Sequence, residues 1–184
     1  MPTHKALLVI DMQQGSFTPQ TPRFNTEGVV ERINALAGLF RSQKHPVVFI
    51  QHDGTREQDF VPHTPAWELL PALDVQPQDQ FVSKTANDAF YQSELSAMLT
   101  ARGVEELFVT GCATDFCVEA TVQSALSKDY RVTVVEDGHT TGERPALSAR
   151  QVIAHYHWVW RNLVPTRGSV RVMKYEEIAA SLGQ

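Results

Sequence analysis

Only two cysteines occur in the 184 residues, Cys112 and Cys117. They are too few and too close together for a disulfide framework, and such usage points to a reducing compartment, the cytoplasm. Basic residues are also scarce: 16 Lys and Arg stand against 21 Asp and Glu, a net charge of -5. A chain of that sign offers no broad cationic surface, which excludes nucleic acid and anionic membranes as expected partners. Long hydrophobic runs are missing too. None approaches the roughly 20 apolar residues of a spanning helix, and the start, "MPTHKALLVID", lacks the architecture of a secretory signal. There is no internal repeat, no low-complexity tract and no clustering of the seven histidines. What is present is ordinary: 42% hydrophobic residues in a length that suits one domain with a real core, residues 1–184.

Four short segments are continuously apolar and rich in β-branched residues: 5–11, 46–52, 106–111 and 131–137. Such runs suit strands covered by helices on both faces. Two weaker strands are expected at 80–84 and 169–173. Apolar residues at helical spacing lie between them, over 27–44, 92–102, 117–128 and 147–163; Val29, Ile33, Leu36 and Phe40 are one such stripe. Alternating strands and helices imply right-handed crossovers. The expected fold is therefore α/β: a three-layer α/β/α arrangement around a mostly parallel six-stranded sheet. The exception is 53–79, which holds four prolines and room for one helical turn near Ala66–Leu70. A connection that long is either a pocket wall or a surface excursion.

In open α/β sheets, sites gather at the carboxyl ends of the strands. Three reactive side chains fall there: Asp11 after the first strand, Lys84 at the end of the weak third, and Cys117 just past the fourth. If Thr114 caps the next helix, Cys117 sits in its first turn, where unpaired N–H groups and the helix dipole favour a thiolate. Asp115 in the same turn should point away. Taken singly, each has a plainer reading: a loop anchor for Asp11, a solvated edge charge for Lys84, a small core residue for Cys117. The functional reading depends on all three sharing one edge. A redox pair of Cys112 and Cys117 is a further reading, although four intervening residues depart from the Cys-x-x-Cys spacing of dithiol oxidoreductases.

These residues stand in segments that resemble the isochorismatase-like cysteine hydrolases, the group of nicotinamidase and N-carbamoylsarcosine amidohydrolase. The resemblance covers "ALLVIDMQ" at 6–13, "PVVFIQHDG" at 46–54, "VSKTANDAF" at 82–90, "VTGCATDFCVEATVQSAL" at 109–126 and "YRVTVVEDGHTT" at 130–141. It implies the isochorismatase-like (Rossmann-like) fold, Cys117 as nucleophile, Asp11 as general base and Lys84 as third member of a triad. It also implies a cis peptide between Cys112 and Ala113, an oxyanion site made by the amides of Ala113 and Cys117, and assembly into homo-oligomers. The activity implied is cofactor-independent hydrolysis of a small amide, ureide or similar C–N bond through a thioester. The alternative within the family is vinyl-ether hydrolysis with Asp11 as acid. Outside it stand a non-catalytic small-molecule binder and the redox protein.

One departure bears on metal. Nicotinamidases carry an Asp-x-His motif after the second strand, whereas "IQHDGT" places His52 and Gly54 at those positions. A weak site from His52, Asp53 and His63 lacks a recognised ligand pattern, so no metal is expected. The substrate pocket is expected from Gln13, Phe17, Trp67, Phe90, Tyr91 and Phe116. His155 and His157 are read as surface or interface residues of the last helix. There Ile153, His157 and Trp160 make a second stripe suited to subunit contact.

Overall fold

The computed structural model describes residues 4–182; residues 1–3 and 183–184, the ends of the expected domain, lie outside it. Six strands form one sheet: β1 (His4–Ile10), β2 (Val47–His52), β3 (Gln80–Lys84), β4 (Val104–Cys112), β5 (Arg131–Thr140) and β6 (Ser169–Met173). Their order is β3-β2-β1-β4-β5-β6, and all five neighbouring pairs are parallel. Five α-helices accompany them: α1 (Thr26–Ser42), α2 (Leu95–Ala101), α3 (Glu119–Ser127), α4 (Ala149–Arg161) and α5 (Tyr175–Leu182).

Side chains alternate across a strand, so a continuously apolar strand feeds two cores at once. In β1, Ala6, Leu8 and Ile10 face a core shared with Leu95, Val122 and Trp160. Leu7 and Val9 face another with Ile33, Leu36, Phe40 and Ile178. All five β1 residues are fully buried. Each of the larger ones contributes about 1.5–3 kcal/mol by leaving water, which makes β1 the spine of the sheet.

The structure departs from the sequence expectations in several places. Helix α5 was not anticipated; it packs Ile178 and Leu182 into the α1 core. The expected helical turn forms slightly earlier, at 64–68, where the amides of Trp67 and Glu68 donate to Thr64 O at 3.0 and 3.2 Å, and it does not extend to Leu69. Leu69 instead makes an antiparallel bridge with Gln13, and the amides of Gln14 and Gly15 donate to the carbonyls of Glu68 and Ala66. The long connection is thus stapled to the chain just after β1. Helix α4 starts at a capping box, with Ser148 and Gln151 each accepting from the other's backbone N–H.

Candidate active site

Asp11 directly follows β1. Its backbone turns through φ +47°, a left-handed conformation that Asp tolerates better than most residues, and its N–H donates to Ile50 O at 2.8 Å. The side chain is thereby aimed across the carboxyl edge of the sheet. Lys84 ends β3, on the far side of β2, so its side chain crosses roughly 9–10 Å of sheet to reach that carboxylate. Only a long side chain can do so. Lys84 Nζ lies 2.7 Å from Asp11 Oδ2 and donates to Ala86 O at 2.9 Å and to Cys117 Sγ at 3.4 Å. Lys84 is fully buried and Asp11 nearly so.

Cys117 arrives from β4. Gly111 near its end has φ +121°, and a methyl group there would fall 2.1 Å from Ile10 O, so only glycine lets β4 close on β1. The Cys112–Ala113 peptide is cis. Residues Thr114–Val118 then form a π-helical turn entered from Ala113, running directly into α3. Thr114 is not the cap the sequence suggested. Its hydroxyl is instead hydrogen-bonded to His139 Nδ1 at 2.8 Å, deep in the protein. Asp115 points away from the thiol, held by Arg144 and Thr141.

Burial and the Lys84 charge pull on the Cys117 thiol in opposite directions. Burial, and then the Asp11 carboxylate, push the Cys117 thiol well above the ordinary cysteine value; Lys84 offsets them only in part. Burial alone would lower the Lys84 ammonium, but Asp11 and Cys117 together carry it above the usual lysine value. The structure places an Asp11–Lys84 ion pair beside Cys117 Sγ. Asp11 Oδ1 is buried without a hydrogen-bond partner among the described residues. It has a free lone pair for the thiol proton. Cys112 is buried, and its thiol is pushed up to about 12 by that burial. Both cysteines are free.

A cavity of about 260 Å³ opens over these groups. Of the residues expected from sequence, Asp11, Gln13, Cys112, Ala113, Phe116 and Cys117 line it. Four expected pocket residues sit elsewhere. Phe90 is in the core and stacks on Tyr130, Phe17 packs beneath the α1 side, and Tyr91 is largely exposed. Trp67 contributes its carbonyl, which accepts from Gln13 and Gln51, while His63 packs against its ring. Sequence reasoning missed Ser16, Arg23, His52, Phe60, Asn87 and Arg144 in the lining. Asn87 stands three residues after Lys84, and its Oδ1 accepts weakly from the Cys117 thiol at 3.6 Å. No periodicity points to Arg23 or Arg144. Among the described residues His, Cys, Asp and Glu side chains are not gathered in any group of three suited to a metal ion, His52, Asp53 and His63 included. A larger hollow of about 540 Å³ at the other end of the sheet gathers Arg41, Lys44, His45 and Arg102 but no nucleophile, and its carboxylate, Asp79, is bound by Arg41.

Behind the turn that carries Cys117 runs a buried polar chain. Thr114 bonds to His139, whose Nε2 lies 3.0 Å from His157 Nε2. His157 was read from sequence as a surface residue; it turns inward to complete this chain. Burial, and then His157, hold His139 down to about 3. An unfolded chain protonates this imidazole below about 6.5, while the folded one resists until near 3. Its stabilisation is therefore complete above pH 6.5 and is lost as pH falls toward 3. Between about pH 7 and 4.5 the loss should be roughly 2–3 kcal/mol, read from urea midpoints. His139→Asn should flatten that slope; an unchanged slope would contradict the assignment.

A model of the Isochorismatase domain matches residues 5–156. The streptothricin hydrolase of Streptomyces noursei is 36% identical over 142 residues, 77% of this chain and 51% of that one. The chain thus spans about half the length of that relative. The maleamate amidohydrolase of Pseudomonas putida is 28% identical over 150 residues, covering 72% and 70% of the two chains. The crystal structure of an isochorismatase-family protein from Chromobacterium violaceum superposes with a TM-score of 0.85 at 30% identity, covering 100% of this chain and 99% of that one. No helix among the described residues is long and apolar enough to cross a membrane. With its parallel sheet, its edge-of-sheet site and a family match over most of its length, the chain belongs to the isochorismatase family.

Proposed function

We propose that this chain is a cysteine hydrolase that cleaves a small amide, ureide or similar C–N bond through a thioester on Cys117, without a cofactor. The observation that carries the reading is the contact of Lys84 with both Asp11 and Cys117 at the floor of one cavity. As Cys117 Sγ bonds to the substrate carbonyl carbon, Asp11 takes the thiol proton and Lys84 keeps the rest of the site electrically balanced. The amides of Ala113 and Cys117 receive the oxyanion. Collapse of the adduct breaks the C–N bond, and Asp11 returns the proton to the leaving amine. Water, deprotonated by Asp11, then breaks the C–S bond to release the acid and regenerate the thiol.

The names of the maleamate and streptothricin relatives support hydrolysis of a small molecule. Residues 1–184 act as one domain in this reading. Two free cysteines suit a reducing cytoplasm, and an exposed Trp158 on α4 suits a second copy of the chain as partner. The test is turnover of a panel of small amides and ureides. Consumption of at least one member, with release of its amine, supports the reading; binding without consumption would make the chain a non-catalytic binder.

A further inference from the structure

The buried chain behind Cys117 has a direction, and that direction makes His157 matter to the site. Thr114 opens the π-helical turn that carries Cys117, and it is wholly buried. Its hydroxyl meets His139 Nδ1 at 2.8 Å and has no other partner among the described residues. His139, also buried, stands edge-on to Trp160 and His157, with its Nε2 3.0 Å from His157 Nε2. Burial keeps both imidazoles neutral near about pH 8, so one hydrogen lies between the two Nε2 atoms. Two orders exist. In one, His157 donates to His139, which donates from Nδ1 to Thr114; the Thr114 hydroxyl hydrogen is then buried without an acceptor. In the other, Thr114 donates to His139 Nδ1, and His139 donates from Nε2 to a lone pair on His157. Only the second satisfies every buried donor, and an unpaired one costs more than an ordinary hydrogen bond gains. His157 then carries its hydrogen on Nδ1, and the backbone carbonyl of Glu136 favours a hydrogen on that ring.

We infer that His157, acting through His139 and Thr114, is a positioning residue for Cys117: the lone pair it presents inward fixes the hydroxyl that starts the nucleophile's turn. This inference rests on Cys117 being the nucleophile. None of the three lines the cavity, so they act by holding the turn and do not touch substrate. A Thr114 hydroxyl released from His139 would compete for carbonyls that the turn's own amides need. Ala113 O alone receives the N–H groups of both Phe116 and Val118, each at 3.1 Å. Because His157 belongs to α4 and His139 to β5, the chain ties that helix to the site.

The probe is iodoacetamide at about pH 8 with peptide mass, which reads Cys117 and the buried Cys112 in one protein. His157→Gln keeps an acceptor near the Nε2 position and should retain most of the native Cys117 rate. His157→Leu removes the acceptor and should lower that rate about tenfold, with Cys112 still protected. From the other end of the chain, Thr114→Val should fall by a similar factor and Thr114→Ser should recover. Leu and Gln variants of His157 within about twofold of each other, with Cys112 protected in both, would overturn the positioning role. Should the Leu variant expose Cys112, the Thr114 pair, judged by the same limit, decides. The direction is read on the native protein, by long-range proton–nitrogen NMR correlation of labelled histidines. His139 should be the Nε2–H tautomer and His157 the Nδ1–H tautomer; the opposite pair would overturn the inference. Failure of the underlying reading looks different: native Cys117 would then react no faster than Cys112, while the tautomers stay as described.

Discussion

Cys117→Ala is expected to lower turnover of any substrate found by more than about a thousandfold, with the protein still folded. The residue is partly buried at the floor of the cavity, and its sulfur lies 3.4 Å from Lys84 Nζ and 3.6 Å from Asn87 Oδ1. Removing it should cost little stability, and in the proposed mechanism it deletes the one atom that forms the covalent bond. Asp11→Asn should be equally damaging for a different reason: the carboxamide cannot accept the thiol proton, and burial holds that proton firmly on sulfur. The pair of variants separates the two family chemistries. An ether hydrolase using Asp11 as acid would lose activity with Asp11→Asn yet tolerate Cys117→Ser, whereas thioester chemistry fails in both. Comparing kcat for the three variants checks this, and a Cys117→Ser protein near native rates would shift the reading to ether hydrolysis.

The second large effect is on stability. Lys84 and Asp11 form an ion pair with side chains 0% and 8% exposed. Breaking such a pair from one side strands the other charge in a low dielectric, at a cost of about 3–5 kcal/mol. Lys84→Met should therefore lower the urea midpoint by that equivalent, besides abolishing activity. Adding Asp11→Asn to it should recover a good part of the loss, because no unpaired charge is then buried. Activity should stay absent. A Lys84→Met protein within about 1 kcal/mol of native would mean that the charge is solvated or otherwise compensated.

How far the sequence revealed this site depended on the type of signal. Continuously apolar strands such as "ALLVI" announce parallel pairing, because burial on both faces leaves its mark on every residue. Residues at strand ends follow from the sheet rule, which is why Asp11, Lys84 and Cys117 group together on the sequence. The cavity wall was less legible. Phe90 and Tyr91 lie close to Lys84 in sequence, yet Phe90 turns into the core and Tyr91 is largely exposed to solvent. Arg23 and Arg144, by contrast, come from loops whose paths are set by tertiary contacts. The opposing pulls on the thiol were also hidden: a helix start argues for a thiolate, whereas the burial of Cys117 and the Asp11 carboxylate push the other way. Helix α5 is only eight residues long, and its inward pair, Ile178 and Leu182, spans a single i, i+4 interval, too short a stretch to establish a helical period from sequence.

Thioester chemistry requires a covalent acyl intermediate on one particular sulfur, that of Cys117. The most direct measurement is intact mass of the protein quenched by acid during turnover of an amide substrate, followed by peptide mapping. A mass increase equal to the acyl group, carried by the peptide containing Cys117 and absent from Cys117→Ala, is the expected result. Full turnover with no adduct in the native protein under rapid quenching, and undiminished turnover by Cys117→Ala, would contradict it.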